Sequence, residues 1–294
     1  MTIMAKIVAD SVSQQDVRLC TLQLRYPKFI HGEFMTHRAF SRNASSSRAI
    51  PVERLIQDVL DDPAMPVFWG KNRPGMQATE PMQAWEEDEA VEAWLRARDA
   101  AVAHARRLAS MGVHKQLVNR VIEPWCHINV VVTATDWANF FALRCHPDAQ
   151  PEMRVLAEAM RDVLAASTPK PLRLGEWHLP FVNNDEWRNW PPDLVVGGDG
   201  YSGEECNANL VKLSVARCAR VSYLTHDGKT PDVEADLALY ERLVGSTPLH
   251  ASPAEHQATP DEWGHKIGDP EPRGGQKMEL PSMLIRLSPT RTKY

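Results

Sequence analysis

The feature that most constrains the fold is a long amphipathic segment between residues 86 and 112. It opens with four acidic residues at positions 86–89, which interact favourably with the positive end of a helix dipole. Apolar residues then recur at the three- and four-residue spacing of one helical face: Val91, Trp94, Leu95, Val102, Ala105, Leu108 and Ala109. Gly112 follows the last of them. We therefore predict one long helix that ends at this glycine.

Shorter elements are separated by proline and glycine, which interrupt regular structure. The apolar spacing predicts further helices over 52–60, 114–122, 137–143, 210–221 and 231–244, and another that starts at Pro151. Extended structure is predicted over 17–34 and over the β-branched stretch 128–133. We interpret 66–84 and 169–209 as insertions or loops, since both are rich in proline and glycine. The whole chain, 1–294, is interpreted as a single domain, although its length alone would allow about two.

Composition excludes several classes of protein. With 43% hydrophobic and 24% charged residues among 294, the chain has enough apolar material for a core, which excludes general disorder. A net charge of −5 argues against bulk nucleic-acid binding, since proteins that bind duplex phosphates are normally basic. A local basic pocket for one small anion is still allowed.

The cysteine pattern and the chain start favour a cytoplasmic protein. The five cysteines show no CxxC spacing and their odd number does not indicate a disulfide framework. The first residues contain no long apolar run, so we expect no signal peptide. The most apolar stretch, 128–135, is too short to cross a bilayer, and no HExxH motif or zinc-like cluster is present. We therefore expect no metal site and no membrane partner.

One polar stretch, residues 36–48, has the composition of an anion site. It contains three arginines, one histidine, one asparagine and four serines within thirteen residues. Guanidinium groups and short hydroxyls are the donors that a phosphate needs. The same composition is also typical of a solvated basic loop.

Three other segments carry polar groups that allow two interpretations. Arg120, near the end of a predicted helix, either binds an anion or interacts favourably with the negative end of the helix dipole. The polar helix end around Asn139 and Arg144 either holds a ring system or is ordinary capping. The segment 250–256 carries two histidines and a carboxylate, but Ser252 followed by Pro253 is also typical of a helix start.

Taken together, the four segments resemble the flavin-dependent thymidylate synthases. The family signature reads RHRxxSxNExSxR, and residues 36–48 follow it except that Thr36 replaces the first arginine and Ala44 replaces the glutamate. Residues 119–124 resemble the family's ARxxLP segment, and 133–154 its later block, in which Thr133 and Thr135 replace an asparagine and an arginine. The family's AARVSF and HxTPFEH segments normally precede the signature. Here their counterparts, 219–223 and 250–256, follow it. The chain is thus similar to a circularly permuted member, an order that a fold tolerates when its original termini lie close together.

The resemblance implies an α/β (α+β) fold with a mixed sheet and long helices, assembled as a homotetramer. It implies FAD as cofactor, NADPH and methylenetetrahydrofolate as co-substrates, and a pyrimidine deoxynucleotide, dUMP, as the molecule that is methylated. Residues that fall where the family contacts flavin are His37, Arg38, Asn43, Asn139, Leu143, Ser222, His250, Ser252 and Glu255. Those that fall where it holds the nucleotide are Ser46, Arg48, Arg120 and Arg144, and the implied catalytic residues are Ser46, Arg144 and His250. The altered signature and order also suggest a virus-encoded enzyme that acts in a host cytoplasm.

The departures from the signature leave two alternatives open. Loss of a glutamate and an arginine removes charge from the expected nucleotide pocket, and a pocket that recognises a base edge discriminates through such groups. The first alternative is therefore flavin-dependent methylation or hydroxymethylation of another pyrimidine deoxynucleotide, such as dCMP. The second is a non-catalytic relative that only binds nucleotide.

Overall fold

The computed structural model describes residues 3–183, 203–221, 232–244, 247 and 250–260, and the backbone alone at 203–207 and 285–287. Its main sheet has five strands: β1 Met4–Val12, β2 Arg18–Pro27, β3 Ser41–Ala44, β4 His127–Ala134 and β5 Lys170–Pro171. Their order across the sheet is β3-β4-β2-β1-β5. All neighbours are antiparallel except β1 and β5. The predicted mixed sheet is confirmed. Two short strands, β6 Ala258–Pro260 and β7 Ile285–Leu287, form a separate parallel pair.

The residues that the structure describes also form helices. They are α1 His31–Phe34, α2 Val52–Asp61, α3 Ala84–Ser110, α4 Lys115–Val118, α5 Ala138–Arg144, α6 Pro151–Ala166, α7 Gly203–Arg220 and α8 Val233–Val244. Within the described ranges, 3-10 turns occupy Lys28–Ile30, Asn119–Trp125 and Ser252–Glu255. Of the part of the chain that the structure describes, no helix has both the length and the apolarity needed to cross a membrane.

Strand β2 lies at the centre of the sheet, between β4 and β1, and both of its faces are covered. Alternate residues of a strand point to opposite faces, and Leu22 and Leu24 point into a core that includes Leu156 of α6. On the opposite face, the Gln23 side-chain amide donates to the backbone carbonyl of Val221, 3.0 Å away. The end of α7 thereby lies against the sheet that the first part of the chain forms.

A second core joins α2, α3 and the 3-10 turn Asn119–Trp125. Ile56 and Ile122 are fully buried in it. The predicted long helix is confirmed as α3, but among its described side chains only Val102 and Ala105 are buried. The first half of its stripe is only half-buried, although Trp94 packs against this core and its backbone carbonyl accepts from the Trp125 indole at 3.1 Å.

Several boundaries differ from the predicted ones. The extended segment 17–34 turns helical after Pro27, where a 3-10 turn and α1 follow. The predicted helix 114–122 becomes α4 and a tighter 3-10 turn that contains Pro124, whose missing amide hydrogen cannot continue an α-helix. The loop interpretation of 169–209 is wrong at its ends, since β5 lies near its start and α7 begins at Gly203. The single-domain interpretation stays a prediction.

Candidate active site

The signature stretch meets the end of α5 through a hydrogen bond. His37 lies in the turn between α1 and β3, and Arg144 is the last residue of α5. The Nε of Arg144 donates to Nε2 of His37 at 2.8 Å, and its Nη2 lies 3.4 Å from the hydroxyl of Thr36. An arginine can only donate, so Nε2 of His37 is the acceptor and its Nδ1 carries the proton. Two segments 107 positions apart are joined in this way.

The electrostatics keep His37 neutral. Burial and the positive charges of Arg144 and Arg42 all lower its pKa. Arg42 also holds the turn in place, because its Nη1 donates to the backbone carbonyls of Met35 and His37 at 2.9 and 3.0 Å. Burial lowers the pKa of Arg42 itself, while the charge of Glu255 opposes that shift. His37 is thus an oriented hydrogen-bond acceptor for a guanidinium group.

An aromatic cluster packs against the His37 ring and the start of α5. The His37 ring stands edge-on to Phe140, with ring centroids 4.8 Å apart, and Phe40 contacts Trp137 at 4.7 Å. On the surface of α5, Asn139 and Leu143 are exposed, and residues four apart share one helical face. An amide and an apolar side chain therefore share one accessible face of the helix that ends at Arg144.

Asn43 joins this region to the C-terminal part of the chain. Its buried side-chain amide donates to the backbone carbonyls of Cys218 at 2.7 Å and Ala219 at 3.3 Å. Its carbonyl oxygen accepts from the hydroxyl of Ser252 at 3.1 Å. Both polar groups of Asn43 are consequently engaged within the protein. The residue connects β3, the end of α7 and the Ser252–Glu255 turn.

A second polar cluster links the loop after β3 to the turn Asn119–Trp125. The Asn119 amide donates to the Ser47 carbonyl at 2.7 Å, and the Ser47 hydroxyl donates to Glu123 at 2.9 Å. Lys28 forms an ion pair with Glu123, and Arg120 lies 3.4 Å from its other oxygen. Burial alone would raise the pKa of Glu123. Hydrogen bonds from Lys28 and Ser47, together with the charges of Lys28 and Arg120, bring it below its usual value.

Three of the four predicted nucleotide residues lie at this second cluster, whereas Arg144 lies beside His37. Ser46 and Arg48 are exposed on either side of Ser47, and Arg120 is 60% exposed on the facing turn. Arg48 has no hydrogen-bond or ion-pair partner within the described residues. The cluster is therefore an accessible cationic surface built around one partly buried carboxylate, that of Glu123.

Two of the remaining predicted residues, Arg38 and His250, are exposed and make few contacts with the described part of the site. Arg38 is exposed and, within the described segments, has no partner. His250 is exposed, and its backbone amide donates to the Leu243 carbonyl at 3.2 Å. Ser222 lies outside the described residues. Among these residues no contact joins Arg144 directly to Arg48.

Sequence reasoning missed two charged residues of the second cluster, Lys28 and Glu123. Lys28 follows the proline at the end of β2, and Glu123 was noted only as part of the 119–124 segment. No local pattern pairs residues that lie 95 positions apart. Among the residues that the structure describes, no group of His, Cys, Asp and Glu side chains could hold a metal ion.

A protein-family model described as thymidylate synthase complementing protein matches residues 16–170, more than half of the chain. The chain belongs to this family. The match spans the signature stretch, Arg120 and Arg144 but ends before Ser252. A thymidylate synthase complementing protein is a thymidylate synthase-like one-carbon transferase, whose reaction is methylation at C5 of a pyrimidine nucleotide.

Two crystal structures of the UMP/dUMP methylase PolB from Streptomyces cacaoi, bound with 5-Br UMP and 5-Br dUMP, are similar to the family member described here. Both are 19% identical to it and cover 56% of its chain. The match spans 89% of the first structure and 90% of the second, with TM-scores of 0.45 and 0.47. No curated protein matches the chain.

Proposed function

We propose that this protein binds FAD and methylates dUMP reductively at C5, with methylenetetrahydrofolate as one-carbon donor and NADPH as reductant. The observation that carries the proposal is the hydrogen bond between Arg144 and His37. It joins the two family segments that, by resemblance, hold nucleotide and flavin. Arg144 is half-buried, and the Nη groups of a guanidinium fixed in this way can donate hydrogen bonds to a ligand.

The residues around His37 fit a flavin. A flavin combines a flat, largely apolar ring with a polar edge and a charged phosphate tail. Leu143 offers apolar surface, Asn139 offers an amide, and Arg38 offers a cation without a partner in the described segments. When bound, the reduced flavin supplies the hydride that converts the one-carbon unit to a methyl group. Asn43 fits differently from expectation, because its side-chain nitrogen donates to the Cys218 carbonyl and its side-chain oxygen accepts from Ser252, so neither faces outward.

The second cluster fits the 5′-phosphate of the nucleotide. Arg48 and Arg120 are exposed cations on two facing segments, and charge-assisted hydrogen bonds to phosphate are among the strongest in proteins. Glu123 does not cancel both, because Lys28 and Ser47 occupy one of its oxygens. The phosphate would therefore lie between the two arginines, with Ser46 directed to the base.

Arg144 is suited to activate the base. Donation of its guanidinium hydrogens to a pyrimidine carbonyl stabilises the enolate-like charge that develops when C5 becomes nucleophilic. His37, kept neutral by burial and by neighbouring cations, orients the guanidinium without neutralising it. On this proposal His250 lies near the flavin and the folate, at the exposed start of the Ser252–Glu255 turn.

One observation favours a second candidate substrate. The Thr36 hydroxyl, which stands where the family has an arginine, lies 3.4 Å from Arg144, the residue proposed to contact the base. A changed neighbour at that position can change which base edge is accepted. Another pyrimidine deoxynucleotide such as dCMP, methylated or hydroxymethylated, is therefore the second candidate.

The test uses the full-length protein. The absorbance spectrum of the purified protein reports bound flavin. Mass spectrometry then identifies the product after incubation with methylenetetrahydrofolate, NADPH and either dUMP or dCMP. Methylated dUMP would support the proposal. A modified product from dCMP alone would instead support the second candidate. A protein that binds no flavin and converts neither nucleotide contradicts both.

A matched pair of variants assigns the activity to Arg144. Arg144→Lys keeps the charge but loses the planar fork that reaches both His37 and Thr36. Arg154→Lys makes the same change on the neighbouring helix, where the arginine forms an exposed ion pair with Glu158. We expect kcat/KM to fall roughly 10- to 100-fold in the first variant and to stay unchanged in the second.

A further inference from the structure

A buried chain of four hydrogen bonds crosses the face of the sheet opposite to that of Leu22 and Leu24. The His178 ring bonds to the Ser11 hydroxyl through Nδ1 at 2.9 Å and to the Thr21 hydroxyl through Nε2 at 2.8 Å. Thr21 bonds to Thr133 at 2.7 Å, and Thr133 bonds to Nδ1 of His256 at 2.8 Å. All five side chains are at most 4% exposed. The chain thus links β1, β2 and β4 to a residue that lies more than 120 positions beyond β4.

The hydroxyl and imidazole hydrogens of these bonds must all point in the same direction along the hydrogen-bond chain. A threonine hydroxyl has one hydrogen, and a neutral imidazole has one donor and one acceptor nitrogen. Burial keeps both imidazoles neutral, because it lowers the pKa of His178 and of His256. Thr133 therefore donates one of its two bonds and accepts the other. Removal of its hydroxyl breaks both bonds at once and leaves Thr21 and His256 with unsatisfied buried groups.

His256, at the end of this hydrogen-bond chain, is connected to the proposed site. His256 directly follows the Ser252–Glu255 turn, whose Ser252 hydroxyl donates to Asn43. Two residues further on, Ala258 exchanges backbone hydrogen bonds with His178 at 2.8 and 3.3 Å. The turn is consequently held on one side by Asn43 and on the other by the buried chain.

We propose that Thr133, together with Thr21, His178 and His256, positions the Ser252–Glu255 turn against the sheet. These are positioning residues, since they are buried and act on a ligand only through the turn. The inference rests on the proposed function in so far as that turn contributes to the flavin site. It also gives a role to Thr133, one of the departures from the family block, as the link between the central strands and the C-terminal segment.

The first experiment compares two threonine-to-valine variants. Thr133→Val keeps the side-chain shape and removes the two bonds. Thr259→Val is the matched control, because Thr259 lies in β6 and makes one hydrogen bond, to the Glu176 carbonyl, outside the chain. Hydrogen exchange is measured on the ligand-free protein at the turn amide of Ala254 and at the amides of β4. We expect exchange at the turn to rise roughly tenfold in Thr133→Val only, with β4 unchanged. Equal exchange at the turn in both variants and the wild type would overturn the proposal.

A rescue series keeps the test decisive if Thr133→Val does not fold. His256→Leu removes the ring nitrogen that Thr133 contacts, whereas the Asn side chain of His256→Asn can present a polar group in its place. We expect the leucine variant to lose turn protection and the asparagine variant to retain most of it. Equal loss in the two variants would show that ring packing, and not the hydrogen bond, holds the turn.

Flavin affinity, measured by titration with FAD, separates this inference from the proposed function. If the wild type binds FAD, Thr133→Val is expected to weaken binding and Thr259→Val to leave it unchanged. If the wild type binds no FAD but Thr133→Val still releases the turn, the proposed function is wrong and the positioning role stands. If FAD binds equally to all three and turn exchange does not change, the positioning role is wrong.

Discussion

Acid is expected to destabilise this protein through two buried histidines that cannot accept a proton in the folded state. Burial lowers the pKa of His178 and of His256 from 6.5 to about 3. In the unfolded chain both groups return to ordinary values near 6.5. Below that pH the unfolded state binds more protons than the folded state, so the contribution to stability is complete above pH 6.5 and is lost as the pH falls towards 3.

The size of the effect follows from these pKa shifts. Each group contributes about 1.4 kcal/mol per pH unit between its two pKa values. Between pH 6.5 and about pH 5, each histidine should therefore reduce the free energy of unfolding by about 2 kcal/mol, and the pair by about 4 kcal/mol. The two groups are not independent, because the charge of His178 further lowers the pKa of His256. A loss of this size is a large part of the stability of a typical domain.

The assay is urea unfolding at about pH 7.5 and about pH 5, for wild type and for the double variant His178→Gln/His256→Asn. His127 is also buried, and burial lowers its pKa to about 4, but its contribution is common to both proteins and cancels in the comparison. The double variant is expected to lose about 4 kcal/mol less between the two pH values. The exposed His104→Gln is the control and should behave as wild type. An acid-induced loss of equal size in wild type and the double variant would refute the reasoning.

Three further predictions concern the proposed ligands. Arg120→Ala should weaken dUMP binding roughly 10- to 100-fold, because one charge-assisted phosphate contact is lost, and a titration with equal affinity for the two proteins would contradict it. The double variant His37→Ala/Arg38→Ala should lose flavin absorbance while its circular dichroism spectrum stays native; retention of full flavin content would refute the assignment. Truncation after Val211 removes the turn that Asn43 holds, so the fragment should bind no FAD in a titration even if it is soluble, and full affinity would contradict the permuted arrangement.

Local sequence pattern predicted the elements with strong periodicity and missed those without it. Helix α3 was predicted within a few residues because its apolar residues recur over many turns. Strand β1 was not predicted, since its residues 4–12 are mostly half-buried and do not alternate strictly between apolar and polar. It is fixed by pairing with β2 along its length, which is a tertiary contact that local propensity does not encode.

The contacts that build the candidate site are of the same non-local kind. The hydrogen bond from Ser252 to Asn43 spans 209 positions, and the bond from Arg144 to His37 spans 107. Composition allowed either a solvated loop or an anion site for residues 36–48, and only the resemblance to a family grouped the separate segments. The ion pair between Lys28 and Glu123 was missed because neither residue stands out in its own segment.

Three of the positions that depart from the family's segments, two in the signature and one in the later block, have physical roles in this chain. Thr36 presents a hydroxyl to Arg144, where a second guanidinium group would repel the first. Ala44 lies on β3 and packs partly against the main core, where a glutamate would need a partner to offset the cost of desolvation. Thr133 joins the buried hydrogen-bond chain that ends at His256. Each replacement thus suits a contact with a distant segment, and two of the three contacts lie beside residues proposed to hold the ligands. On the proposed function, these three replacements fit an adapted site, whereas the fourth, Thr135, is exposed and has no structural explanation.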